Sequence, residues 1–150
     1  MKIYLSGPIY TGNTQEEREA TDKWREEVTG YFRNYSHQEF HYSDKQIFIL
    51  DPCRKKAIYD PKLFTPNEIV FRDLKDVDDS DLIFVNIDLV GNKLPIGTVM
   101  EIMYAWIHKK PVVIVSKDPR ILNHPWLIAM SVRMFVDIKE ACEYTVEFWT

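Results

Sequence analysis

Glu101 and Asp73 are the residues whose type and placement can do chemistry. Glu101 lies in Leu94-Pro-Ile-Gly-Thr-Val-Met-Glu101-Ile-Met-Tyr-Ala-Trp-Ile-His-Lys-Lys110. A loop from Gly91 to Ile96 leads into a helix expected to open at Gly97-Thr98 and run to Lys110. The apolar strand Val112-Val-Ile-Val115 follows at once. In parallel α/β units, ligands bind where strands end and helices begin. Glu101 is expected in the first turn of this helix. Thr98-x-x-Glu101 matches the capping box, in which Thr and Glu satisfy each other's backbone amides, and spacing alone favours that reading. The other reading places Glu101 off the apolar stripe Val99, Ile102, Met103 and Trp106, on a face with Thr98 and Ala105 that looks toward the ligand edge. The two exclude each other, because a side chain folded back on Thr98 cannot reach a ligand.

Asp73 is placed by its helix. Ile69, Val70, Leu74 and Val77 form the apolar stripe of a helix over residues 66–78, and Asp73 falls on that stripe. A carboxylate there is costly unless it is hydrogen-bonded or borders a pocket. It is therefore either an acid beside a site or a rim residue bonded to a nearby amide. Asp76, Asp78 and Asp79 read as a solvated helix end. The loop Gly7-Pro-Ile-Tyr-Thr-Gly-Asn13 can offer amides to an anion, although it is neither GxGxxG nor a P-loop and is equally an ordinary tight connection. In Asp51-Pro-Cys-Arg-Lys-Lys56, Arg54 has the planar fork that suits a phosphate; the alternative is a solvated basic loop. His37, His41, His108 and His124 have no metal-ligand spacing, and no Cys/His pair resembles a zinc site. No metal or cofactor is expected, and no Gly-x-Ser-x-Gly elbow is present.

The elements that must position these residues alternate along the chain. Strands are expected at Lys2–Ser6, Gln46–Asp51, Asp81–Ile87, Val112–Val115 and Val132–Val136. Helices are expected from about Thr14 as N-cap, from Pro66, from Gly97, over Trp126–Met130 and over Ile138–Phe148. Residues 34–45 are polar and aromatic without a clear period and read as loop. This alternation predicts an α/β fold, a doubly wound five-stranded parallel sheet with flanking helices of the flavodoxin-like or Rossmann-like kind. The ends of the first four strands then share one edge, with Tyr4 and Ser6 near the top of the first.

Composition narrows the class. The 150 residues are 45% hydrophobic and 28% charged, which suits one globular domain. A net charge of −4 offers no basic face for duplex nucleic acid. Cys53 and Cys142 form no CxxC pattern, so a reducing compartment with free thiols is the simplest expectation. No leader peptide is visible, and no apolar run reaches the roughly 18 residues that span a bilayer. The expected setting is cytoplasmic, without a membrane partner.

Several segments, taken together, resemble the nucleoside 2-deoxyribosyltransferase family. They are Met1-Lys-Ile-Tyr-Leu-Ser-Gly-Pro-Ile9, Asp51-Pro-Cys-Arg54, Ile69-Val-Phe-Arg-Asp73 leading into Asp78-Asp-Ser-Asp-Leu82, Gly97-Thr-Val-Met-Glu-Ile-Met-Tyr-Ala105, and Lys110-Pro-Val-Val with His124-Pro-Trp126. The match runs from residue 1 to about residue 140. It implies a flavodoxin-like fold and cleavage of the bond between a nucleobase and 2-deoxyribose. Glu101 falls on the family's nucleophile, Tyr4 on the Tyr that orients it, and Asp73 on the helix Asp at the sugar–base end. The substrate-binding positions implied are Ser6, Gly7, Pro8, Ile9 and Tyr10 on the first loop, Arg54 on the second, Asn86 at the end of the third strand, Pro95, Gly97 and Thr98 at the helix opening, and His124 and Trp126 beyond the fourth strand. A carboxylate beneath C1′ stabilises an oxocarbenium-like transition state and can form a covalent glycosyl-enzyme. A helix N-terminus and a Tyr hydroxyl are expected to keep Glu101 ionised.

The chain also departs from the pattern. Transferases of the family often carry an Asp six residues before the nucleophile, where this chain has Pro95. A Gly common two residues after the Glu is Met103. Relatives that hydrolyse deoxynucleoside monophosphates also lack the Asp, and Arg54 with the Gly7–Asn13 loop are this chain's candidates for a phosphate. Three activities follow: base exchange between deoxynucleosides, hydrolysis of a nucleoside 5′-monophosphate, or catalytically silent nucleotide binding. A homo-oligomer is expected from the resemblance, with Trp106, Trp126 and Trp149 as candidate interface or core residues.

Overall fold

Strands β3 (Leu82–Asn86) and β4 (Val112–Val115) are the most apolar runs of the chain, and their residues are buried save at the end of β3. Burial on both faces is what a central parallel strand requires. In the computed structural model, which describes residues 1–9, 15–39, 46–54, 63–88 and 94–150, they lie at the middle of a five-stranded parallel sheet. The order is β2-β1-β3-β4-β5, with β1 at Lys2–Ser6, β2 at Phe48–Leu50 and β5 at Arg133–Phe135. This is the flavodoxin-like arrangement anticipated from the alternation of elements.

Helices cover both faces. One face, carrying Ile3, Leu5, Phe84 and Val113, packs on Trp24, Val28 and Phe32 of α1 (Gln15–Glu39) and on Ala141, Cys142 and Val146 of α6 (Ile138–Trp149). The other, carrying Tyr4, Ile83, Val85 and Ile114, packs on Val77 of α2 (Pro66–Asp79), Ile102 and Ala105 of α3 (Ile96–Ile107), Ile121 of α4 (Pro119–Leu122), and Leu127 and Met130 of α5 (Pro125–Met130). Because strand side chains alternate, Tyr4 and Ser6 share the face toward α2 and α3. Among the described residues no helix is long and apolar enough to cross a membrane.

Helix ends are set by side chains. Thr65 caps α2, accepting from the Glu68 amide at 3.3 Å, while Glu68 Oε2 accepts from the Thr65 amide at 2.7 Å. Asp137 caps α6 through the amides of Lys139 and Glu140 at 2.9 and 3.0 Å. α3 stops at Ile107 rather than Lys110, because Lys109 takes φ 58°, in the left-handed region that ends a helix. α1 runs on through residues 34–39, which the aperiodic sequence assigned to loop. Tyr35 packs on the core there, and Ser36 Oγ donates to the Phe32 carbonyl at 2.9 Å. β2 is shorter than the expected Gln46–Asp51, since an edge strand has one neighbour to pair with. Thr14, the expected cap of α1, lies outside the described residues. Trp149 packs on the core, whereas Trp106 and Trp126 are exposed.

The order of travel reverses between β1 and β3, and their carboxyl ends diverge there. Gly7 fits the gap closely: a Cβ on it would lie 2.5 Å from Trp24 Cζ2 and 2.7 Å from the Asn86 carbonyl oxygen. Gly30 on α1 has open space around it. Gly7→Ala is therefore expected to destabilise the fold by about 1–3 kcal/mol through overpacking. Gly30→Ala is expected to stabilise it by about 0.5–1 kcal/mol through helix propensity. Equilibrium denaturation checks both, and equal midpoints for the two variants would contradict the packing account.

Candidate active site

Tyr4 in the middle of β1 and Ser6 at its end lie on the face covered by α3, and both are fully buried. Glu101 comes down onto them from α3. Tyr4 Oη donates to Glu101 Oε1 at 2.8 Å, and Ser6 Oγ donates to Oε2. Each carboxylate oxygen thus receives a hydroxyl, which fixes the plane of the group. No capping box forms at Thr98. α3 begins at Ile96 with Pro95 as its N-cap and no side-chain cap bond, so Thr98 is already helical and Glu101 lies in the second turn. This corrects the expected first-turn position. The capping geometry occurs instead at Thr65 and Glu68.

A cleft of about 470 Å³ opens beside Glu101. Gly7, Pro8 and Ile9 form one wall. Ile69, Val70, Asp73 and Leu74 of α2 form a second, and Pro95, Ile96, Gly97, Thr98, Met100 and Glu101 a third. Glu101 and Asp73 are the only charged side chains among the described lining residues, and most of the rest are apolar. Pro95 contributes its ring to the third wall. Ile69 and Val70, read from the sequence as core stripe, border the cleft instead, and Val70 is 55% exposed.

The electrostatics follow from burial. Burial pushes the Glu101 carboxyl up to about 7; the hydroxyls of Ser6 and Tyr4 pull it down, the nearby Asp73 charge adds to the rise, and the Arg25 guanidinium offsets some of it. Burial therefore outweighs the donors expected to keep Glu101 ionised, and with Glu101 in the second turn the helix N-terminus is not the favourable neighbour anticipated. Burial likewise raises Asp73 from its ordinary value, against hydrogen bonds and charge from Arg72 that hold it down. Tyr4 is driven far upward, first by burial and then by Glu101, so its hydroxyl stays a donor.

The remaining expected residues divide. Ser6 serves the carboxylate directly. Gly7, Pro8, Ile9, Pro95, Gly97 and Thr98 line the cleft. Tyr10 lies outside the described residues. Arg54 does not stand free for a phosphate: its fork pairs with Asp76, with Nη2 to Oδ1 at 3.2 Å, and Nη1 donates to the Asp51 carbonyl at 2.9 Å. Asp76, expected at a solvated helix end, is correspondingly buried, while Asp78 and Asp79 are exposed as anticipated. Asn86 turns back on its own chain, accepting from the Asp88 amide at 3.1 Å. His124 and Trp126 open α5 away from the cleft lining, and both are exposed. Among the described residues no cluster of His, Cys, Asp and Glu is able to hold a metal ion.

Sequence reading missed Arg25. It is 2% exposed on α1, donating to the Gly7 carbonyl at 2.9 Å, the Pro8 carbonyl at 3.3 Å and the Thr21 carbonyl at 2.8 Å, with Nε 3.4 Å from Asp51 Oδ1. Its register with Thr21, Val28 and Phe32 was the available signal: a cation on the buried stripe needs a reason to be there.

No protein-family model matches this chain, and no curated protein sequence does. Solved structures share its fold. A 2-deoxyribosyltransferase from Bacillus psychrosaccharolyticus superposes with a TM-score of 0.69 at 19% identity, over 96% of this chain and 92% of that one. A 2-deoxyribosyltransferase from Leishmania mexicana does so with a TM-score of 0.63 at 19% identity, over 99% of each chain. A CMP N-glycosidase from Clostridium botulinum gives a TM-score of 0.60 at 12% identity, over 99% of this chain and all of that one, 100%.

The raised Glu101 carboxyl has a consequence for stability. Its value of about 7 in the fold exceeds the ordinary 4.5, so between these values the folded state binds the extra proton. That stabilisation is fully present below about pH 4.5 and is lost as pH rises through about 7. Glu101→Gln removes the effect. The Tm of the native protein is expected to fall relative to the variant across this window and to run parallel above it. A constant Tm difference from pH 4.5 to 8 would refute the assignment.

Proposed function

We propose that this chain is an enzyme that cleaves the N-glycosidic bond of a 2′-deoxynucleoside, carrying the deoxyribosyl group as an ester on Glu101 before passing it to a second nucleobase or to water. The observation that carries this reading is the Glu101 carboxylate, oriented by Tyr4 and Ser6 in the same cleft as the buried acid Asp73. The folds of two deoxyribosyltransferases and a CMP N-glycosidase support it.

The roles follow from the chemistry. Glu101 attacks C1′ in its ionised form, with positive charge building on the sugar as the bond to the base lengthens. Tyr4 and Ser6 hold the carboxylate in one plane, so little reorganisation accompanies attack. Asp73, whose proton is favoured by burial, gives it to the departing base. In the second half the roles reverse, and two displacements retain configuration at C1′. The apolar walls at Ile69, Val70, Pro95, Ile96 and Met100 offer a base a dry surface.

A neutral nucleoside suits this cleft better than a monophosphate. Among the described lining residues there are two carboxylates and no cation, and Arg54 is engaged by Asp76. Hydrolysis of a nucleoside 5′-monophosphate is the second reading, favoured by the likeness to a CMP N-glycosidase.

Incubating the protein with deoxynucleosides, ribonucleosides and their monophosphates, with and without a second free base, separates the readings by chromatography of the products. A new deoxynucleoside marks transfer, and free base alone marks hydrolysis. Base released only from monophosphates establishes the second reading in place of the first. Glu101→Gln is expected to lower kcat at least about a thousandfold with the fold retained. Tyr4→Phe, which deletes one hydrogen bond to a charged group, is expected to lower it about 10–100-fold. Full activity in Glu101→Gln would sink the nucleophile assignment.

A further inference from the structure

The next inference rests on the glycosidic reading and concerns how Asp73 is aimed. Arg72, its neighbour on α2, donates to a single oxygen of Asp73: Nε at 3.0 Å and Nη2 at 2.6 Å, both to Oδ1. Nη2 also donates to the Pro52 carbonyl at 3.0 Å. Among the described residues, Oδ1 takes every hydrogen bond that Asp73 accepts and Oδ2 takes none, and Asp73 lines the cleft.

The far end of this arrangement is fixed as well. Pro52 belongs to the turn after β2. The Cys53 amide donates to Asp51 Oδ1 at 2.8 Å, and Arg54 Nη1 donates to the Asp51 carbonyl at 2.9 Å. Arg25 approaches the same carboxylate from α1. The Arg72 guanidinium is thus tied both to the acid and to the end of a strand. Arg72 is itself only 28% exposed.

We propose that Arg72 is a positioning residue that reserves Oδ1 of Asp73 for itself, so that the proton passed to and from the base resides on Oδ2. As the C1′–N bond breaks, its electron pair goes into the base, which takes the Oδ2 proton, while a Glu101 oxygen bonds to C1′. The acceptor, a base or water, then attacks C1′ and gives its proton to Oδ2. The electron pair of the ester bond returns to Glu101. A guanidinium fork on Oδ1 is incompatible with a proton there, because all its N–H groups are donors.

Leaving groups that need no proton provide the test. Steady-state kinetics of wild type, Arg72→Met and Arg72→Lys are compared on matched pairs. One pair is 2′-deoxyguanosine and 7-methyl-2′-deoxyguanosine; the other is 2′-deoxyuridine and 5-fluoro-2′-deoxyuridine. The second member of each carries a base that leaves with less help from a proton, or with none. Arg72→Met is expected to lower kcat on the first members about 100-fold with KM little changed, and on 7-methyl-2′-deoxyguanosine by less than about threefold. Arg72→Lys, which keeps the charge but not the fork, is expected to fall between. Equal losses on both members of a pair overturn the inference, as does an unchanged kcat on the first. If Arg72→Met does not fold, the same split in Arg72→Lys carries the test. A wild type that cleaves none of these nucleosides and nothing in the wider panel overturns the glycosidic reading, and this inference with it.

Discussion

Everything at this site depends on a carboxylate placed where water is scarce. Glu101 reaches from α3 to the buried end of β1, half-buried at the cleft, and the hydroxyls of Tyr4 and Ser6 each donate to one of its oxygens. Two donors do not replace bulk water, so burial wins and pushes the carboxyl up to about 7. The arrangement is costly for folding; under the proposed function, a carboxylate held in one orientation needs little rearrangement to meet a developing positive charge.

The second constraint is the turn at Asp51-Pro52. Three arginines from different parts of the chain converge on it: Arg25 on the Asp51 carboxylate, Arg54 on the Asp51 carbonyl and Arg72 on the Pro52 carbonyl. Each also holds something else in place. Arg25 grips the Gly7 and Pro8 carbonyls on one cleft wall, Arg54 neutralises buried Asp76, and Arg72 engages Asp73. The end of β2 therefore ties the loop beside Glu101 to the helix that carries Asp73. The cations near the cleft serve as framework, and this leaves a lining of two acids and apolar surface among the described residues.

How much of this was legible beforehand varies residue by residue. β3 and β4 were plain, because continuous apolar runs bounded by polar turns have few other uses in a parallel sheet. Asp73 was legible from its place on a helical stripe. Arg25 stands on such a stripe too, but an arginine in an amphipathic helix ordinarily belongs to the wet face, so its residue type hides its position. The extension of α1 past Asn34 was not legible: the sequence there is polar without a period, and packing of Tyr35 on the core holds it helical.

Local sequence determined the elements, their order and thereby the edge on which a site must lie, since parallel strands with crossover helices leave their carboxyl ends together. It could not choose between the two motifs of the same form, Thr65-x-x-Glu68 and Thr98-x-x-Glu101. The first became a capping box and the second did not. The difference is tertiary. Glu68 faces water and folds back on its own helix, whereas Glu101 meets hydroxyls from β1, 97 and 95 residues away in sequence. Arg54 and Asp76 follow the same rule: each looks like a solvated charge on its own segment, and they pair only once the turn after β2 is brought against α2. Periodicity and spacing report what a residue's own helix or strand offers it. Which distant group competes for its side chain is decided by the packing of the sheet.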